Sequence, residues 1–133
     1  MLKHNTPGGS AFPYYYKNGE LVGLHYGSYF ADEEGLLALM KAEEDFIANA
    51  HHPLPMWIDF FQSKLTDRVL IEFSKSMIRL QGNITKLAIV GCSFIDRWRF
   101  NRLKKKYSFA FPMPVRFYND PEEAKTWLVS ERS

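Results

Sequence analysis

A single cysteine, Cys92, occurs among the 133 residues, so no internal disulfide can form and no cysteine-based zinc spacing exists. The four histidines, His4, His25, His51 and His52, all fall in the first half, and two adjacent imidazoles alone make a poor metal site. Apolar runs are broken by charge well short of the about 18 residues that a membrane-crossing helix needs. The first ten residues carry no apolar core of the kind a secretory leader requires. No glycine-rich phosphate loop appears, Gly91-Cys92-Ser93-Phe94 being too short for one. A net charge of +2 is too small to imply a nucleic-acid partner. These absences leave a reducing cytoplasm as the expected compartment, with no cofactor, no metal and no specific nucleic acid expected.

What is present is a folded globule. Hydrophobic residues make up 46% and aromatics 16% of the chain, enough for one domain with a real core. Residues 1–11 contain Pro7-Gly8-Gly9-Ser10 and read as a flexible tail, leaving 12–133 as the domain. Tyr14 to Tyr26 reads as a hairpin about Asn18-Gly19, a pair that suits a type I′ turn. A helix over roughly 32–49 follows, with Leu36, Leu37, Met40 and Ile47 on one face and His51-His52-Pro53 ending it.

Met56 to Phe60 reads as a short buried strand. After a polar loop, Thr66 or Asp67 can cap a helix running to about Leu80, with Leu70, Phe73, Met77 and Leu80 as its stripe. Gly82-Asn83 stops it. A strand over 84–90, a basic helix from about Ser93 to Lys106, and a strand over 114–118 come next. Asp120-Pro121-Glu122-Glu123 is a strong helix start, with Asp as N-cap, Pro at N1 and Glu at N3. The order is β-β-α-β-α-β-α-β-α, an α/β fold with a mixed sheet and an N-terminal hairpin.

This order resembles the STAS domain, named for sulfate transporters and anti-sigma factor antagonists, and within it the SpoIIAA-like proteins. The resemblance rests on Trp57-Ile-Asp-Phe-Phe61 as central strand, Lys86-Leu-Ala-Ile-Val-Gly91 as the next, and Val115-Arg-Phe117 leading into Asp120-Pro-Glu-Glu-Ala124 and Trp127-Leu128. It spans roughly residues 12–130. It implies a non-enzymatic regulatory or carrier module, often self-associating, and the favoured reading is a regulatory or protein-interaction module.

In anti-sigma factor antagonists the loop before the second helix holds an Asp-Ser-Ser-Gly motif whose serine a partner kinase phosphorylates. The corresponding loop here is Gln62-Ser63-Lys64-Leu65-Thr66-Asp67, beginning just after Asp59. By position Thr66 and Asp67 replace the two serines and Arg68 the glycine. An aspartate at the phosphosite leaves nothing there to phosphorylate. Asp59, Ser63, Thr66 and Asp67 are therefore the candidate regulatory residues, and the plain alternative is that Thr66 or Asp67 only caps a helix.

Three further features bear on function. Arg97, Arg99, Arg102, Lys104, Lys105 and Lys106 form a basic run with Trp98, Phe100 and Tyr107 interleaved, a pattern that fits nucleic acid, an anionic membrane surface or an acidic partner as well as a solvated helix end. Tyr14, Tyr15, Tyr16, Tyr26, Tyr29, Phe30, Phe109 and Phe111 exceed what a small core hides. They point to a homodimer burying some of Tyr14, Tyr16, Tyr26 and Phe30, or, by analogy with the lipid-carrying CRAL-TRIO domains that STAS folds resemble, to a carrier of an apolar ligand. An enzyme using Cys92 or Asp59 is the third alternative. It requires a base near the thiol, or a cation site of clustered acids at Asp59.

Overall fold

The computed structural model describes residues 4–9, 11–12, 14–17, 19–50 and 53–130. A five-stranded sheet forms the centre. Its strands are β3 (Tyr14–Tyr16), β4 (Gly19–His25), β5 (Leu54–Asp59), β6 (Ile84–Val90) and β7 (Val115–Tyr118), side by side in that order. Strands β3 and β4 are antiparallel and every later pairing is parallel. The helices are α1 (Glu33–Ala50), α2 (Asp67–Arg79), α3 (Phe94–Lys106) and α4 (Pro121–Val129), with one 3₁₀ turn at Gln81–Asn83. Two residue pairs, β1 (His4–Asn5) against β2 (Ala11–Phe12), make a separate small ladder.

Topology dictates where the helices lie. Each of the three crossovers from β4 to β7 steps to the next strand in the same direction. Right-handed crossovers of that kind place α1, α2 and α3 on one face. Helix α4 is not a crossover and takes the other face. Side chains alternate accordingly. Val22, Leu24, Met56, Ile58, Leu87 and Ile89 enter a large core with Met40, Phe73, Met77, Phe100 and Leu103. Leu21, Trp57, Ala88 and Val90 meet Ala124, Trp127 and Leu128 of α4. Burial on both faces explains why β5 and β6 read as nearly continuous apolar runs.

The ends of the elements follow local chemistry. Thr66 is the N-cap of α2, its hydroxyl accepting from the Val69 amide at 3.2 Å. Ser93 caps α3 in a capping box closed by Asp96. Asp120 caps α4 with Pro121 at the first turn. Helix α4 has no basic residue in its last turn. Lys86 of β6 supplies that charge instead, donating to the carbonyls of Trp127 at 3.0 Å and Ser130 at 2.8 Å.

Three expectations need correction or completion. The hairpin turn lies earlier than expected: Tyr16 pairs with Gly19, so Gly19 belongs to the strand, and Lys17 carries a positive φ of 43°. Asn18 lies outside the described residues, as do His51 and His52. Gly19 serves packing rather than turning, since a Cβ there would stand 2.7 Å from Val129 Cγ1 of α4. Tyr26 is fully buried in the core and is not available to a dimer interface. Within the stretch read as a flexible tail, Thr6 is buried and the Gly8 amide donates to Glu43 of α1 at 2.5 Å.

Candidate functional site

The loops leaving the C-terminal ends of β4, β5 and β6 pack backbone against backbone. Parallel pairing continues past the strands: Tyr26 donates to the Asp59 carbonyl at 2.8 Å, Ser28 to Phe61 at 2.7 Å, and Phe30 to Gln62 at 2.7 Å. On the other side the Phe60 amide donates to Val90 at 2.9 Å. Two glycines provide the clearance. A Cβ on Gly27 would stand 2.5 Å from the Phe61 oxygen, and one on Gly91 would stand 2.6 Å from the Phe61 nitrogen. The peptide at Phe61 is thus held between Gly27 and Gly91. Ser28, Phe30 and Gln62 adopt positive φ here without being glycine.

All four candidate regulatory residues lie on or beside this clamp. Asp59 accepts from the Phe61 amide at 2.8 Å, a local turn that uses its carboxylate. Ser63 donates to the Tyr26 carbonyl at 2.6 Å and accepts from the Tyr29 amide at 3.1 Å, so its hydroxyl ties two loops together. Thr66 donates to Glu33 of α1 while capping α2. Asp67 pairs with Arg99 at 2.5 Å, and that guanidinium holds the Asp67 carboxyl below the usual carboxylate range. Arg99 also donates to the Leu65 carbonyl. The charge that sequence position suggested for Asp67 is present, and it is already answered from within the chain.

The basic run divides. Arg97 donates to Asn119 at 2.7 Å and lies over the Phe117 ring, and Arg99 is committed to the α2 entry. Lys104 lies over Phe111. Arg102, Lys105 and Lys106 are exposed. The interleaved aromatics divide too. Phe100 is buried in the large core, whereas Trp98 is 57% exposed. Sequence reading passed over Phe61, Phe94 and Ile95 as surface groups, and all three are exposed. Phe94 and Ile95 open an otherwise basic helix, and only the packing of Phe100 and Leu103 fixes which side faces inward.

Cys92 is 6% exposed and burial pushes its thiol up to about 12. It belongs to the core on the α1–α3 face. His25 lies on the opposite face, edge-on to Trp57 at 5.3 Å between ring centres. The sheet separates the His25 imidazole from the thiol. Among the described residues no three acidic, cysteine or histidine groups gather as a metal site, and no helix is long and apolar enough to cross a membrane. An open cleft of about 910 Å³ runs along α4 between Tyr16, Arg116, Tyr118 and Trp127. Another of about 410 Å³ lies between α1 and α2 beside Glu44, Arg68 and Arg79. Neither is a closed apolar cavity.

No protein-family model matches the chain, and no curated protein matches it. Among solved structures it is similar to an uncharacterized protein of the DUF3478 family from Shewanella loihica PV-4, described as having a SpoIIAA-like fold. The likeness covers 96% of each chain at a TM-score of 0.54 and 17% identity. The fold is therefore SpoIIAA-like, with the expected strand and helix order.

Proposed function

We propose that this chain is a cytoplasmic, non-enzymatic regulatory module of SpoIIAA type that engages a protein partner constitutively, without a phosphorylation switch. The observation that carries this is the hydrogen-bonded state of the loop before α2. Ser63 spends its hydroxyl on two backbone groups of the neighbouring loop, and Thr66 spends its own on Glu33 and the Val69 amide. Phosphorylating either removes a donated hydrogen bond and forces two charges into a packed junction. Asp67 brings a fixed negative charge to the α2 N-terminus, where it is favoured. Beside this loop Phe30 and Phe61 stand 64% and 44% exposed, a surface suited to a partner rather than to water.

The test is partner retention by the tagged chain in its native host, with intact mass read before and after phosphatase. Retention that is unchanged by phosphatase and lost in Phe30→Ser with Phe61→Ser supports the proposal. A phosphate mapped to Ser63 or Thr66 that alters retention overturns it.

A further inference from the structure

Helix α3 carries an outer face that neither core cluster claims. At about 100° per residue, positions 94, 95, 98, 101, 102, 105 and 106 share one arc of roughly 140°. Three of them are large and apolar: Phe94 is 84% exposed, Ile95 65% and Trp98 57%. One exposed apolar residue is ordinary, but three within the first two turns of one helix face form a patch. The C-terminal end of the same face is cationic, with Arg102, Lys105 and Lys106. Helix α3 contributes no acid to the arc, and the acid within reach of Arg102 and Lys106 is Asp67 of α2, already paired with Arg99. Asp96 points away from it, accepting from the Ser93 amide at 3.1 Å and standing 3.7 Å from Arg99. Arg102 lies over the Trp98 ring at 5.3 Å, at the boundary between the two halves.

We propose that α3 docks this domain flat onto an anionic lipid bilayer, with Phe94, Ile95 and Trp98 entering the headgroup–acyl boundary and Arg102, Lys105 and Lys106 meeting lipid phosphates. The charge and the apolar surface are complementary to that one partner. An interfacial helix needs an apolar part to bury, cations without intervening acids, and an aromatic at the interface. Single-stranded nucleic acid needs cations alternating with aromatics, so that bases stack while phosphates are held. The fold removes most of that alternation, because Phe100 turns into the core and Arg97 and Arg99 turn to Asn119 and Asp67, leaving Tyr107 under Lys106 just past the helix end. The remaining surface is segregated along the helix, apolar first and basic last. This docking face adjoins the loop argued above to meet a protein partner, since Asp67 lies within electrostatic reach of Arg102 and Lys106, but the bilayer proposal rests on α3 and does not depend on that reading.

The experiment is co-sedimentation of the whole chain with phosphatidylcholine vesicles, with and without about 30% phosphatidylserine, at low and high salt. Fluorescence adds a local readout, because Trp57 and Trp127 are each 7% exposed and Trp98 is the indole that a bilayer can newly cover. Wild-type protein is expected to bind the anionic vesicles, to shift its emission to the blue, and to release as salt rises. Phe94→Ser with Trp98→Ser should weaken binding at least tenfold. Arg102→Gln with Lys105→Gln should weaken it about 25-fold, near fivefold per charge. Far-ultraviolet circular dichroism confirms that both variants fold, as substitutions at exposed sites should. Failure of the wild type to bind, binding unchanged in either variant, or retention on single-stranded DNA without vesicle binding overturns the proposal.

Discussion

Replacing Gly91 by alanine should remove the clearance on which three loops depend. Gly91 sits at φ of 90°, on the left-handed side that side chains avoid. A methyl group there would lie 2.6 Å from the Phe61 nitrogen, 3.0 Å from the Phe60 carbonyl carbon and 3.1 Å from the Phe61 Cα. All three neighbours are backbone. They are held by the Phe60-to-Val90 and Ser28-to-Phe61 hydrogen bonds, so no flexible side chain can move aside. The left-handed conformation costs about 1–2 kcal/mol and overpacking about 1–3 kcal/mol, so a loss of about 3 kcal/mol is expected. That is a large part of the roughly 5–15 kcal/mol that holds a domain together. Urea unfolding followed by circular dichroism measures it. With a slope of about 1–3 kcal/mol per molar, the midpoint should fall by about 1–3 M. Gly82 is the control, because nothing lies within 4 Å of its Cβ position and its φ is ordinary. Gly82→Ala should be neutral or stabilise by up to about 1 kcal/mol. A Gly91→Ala protein within about 0.5 kcal/mol of wild type would refute the clamp.

Burial raises the Glu44 carboxyl from 4.5 to about 7, against the opposing pull of Ser76 and Arg79. The folded state then binds more protons than the unfolded state between those values. Stability should fall as pH rises through that window and level off above it, by at most about 3 kcal/mol, and Glu44→Gln should flatten this part of the profile in urea midpoints at pH 5 and 8. Cys92 should resist thiol reagents at pH 8 in the native protein and react once urea unfolds it. Native labelling as fast as denatured labelling would contradict its buried, protonated state. Tyr14 and Tyr15 lie on the edge strand β3 and are 38% and 50% exposed. Self-association through that edge predicts a dimer in sedimentation at about 100 μM, and a monomer there would count against it.

Element order was legible because each boundary carries its own local signal. Thr66, Ser93 and Asp120 each cap the helix that follows, and β6 spans Ile84–Val90 as its apolar run predicts. The Asn18-Gly19 pair misled because two different constraints favour glycine near a turn. Here the close approach of Val129 accounts for Gly19, and the turn is left to its neighbours. The aromatic surplus was only partly a surface signal. Tyr26, Phe60, Phe73 and Phe100 pack ring against ring inside, and sequence does not distinguish these from Phe61 or Phe94. The candidate loop was placed correctly at the α2 entry. Its chemistry was not legible, because the partners of Ser63, Thr66 and Asp67 come from residues about 32 to 37 positions away, Tyr26, Glu33 and Arg99.

Synthesis runs from the N-terminus, and this gives the single helix on the second face a meaning in time. Strands β3 to β7 and helices α1 to α3 are all made before residues 121–129 exist. Any state in which α4 has not yet packed would leave Leu21, Trp57, Ala88 and Val90 as a bare apolar ledge on the sheet. A nascent chain paused at that stage presents the kind of surface that chaperones shield and that aggregates recruit. Closing α4 over it covers the Trp57 ring, while Lys86 locks the final carbonyls. A blue shift of Trp57 emission on refolding would therefore report the docking of α4.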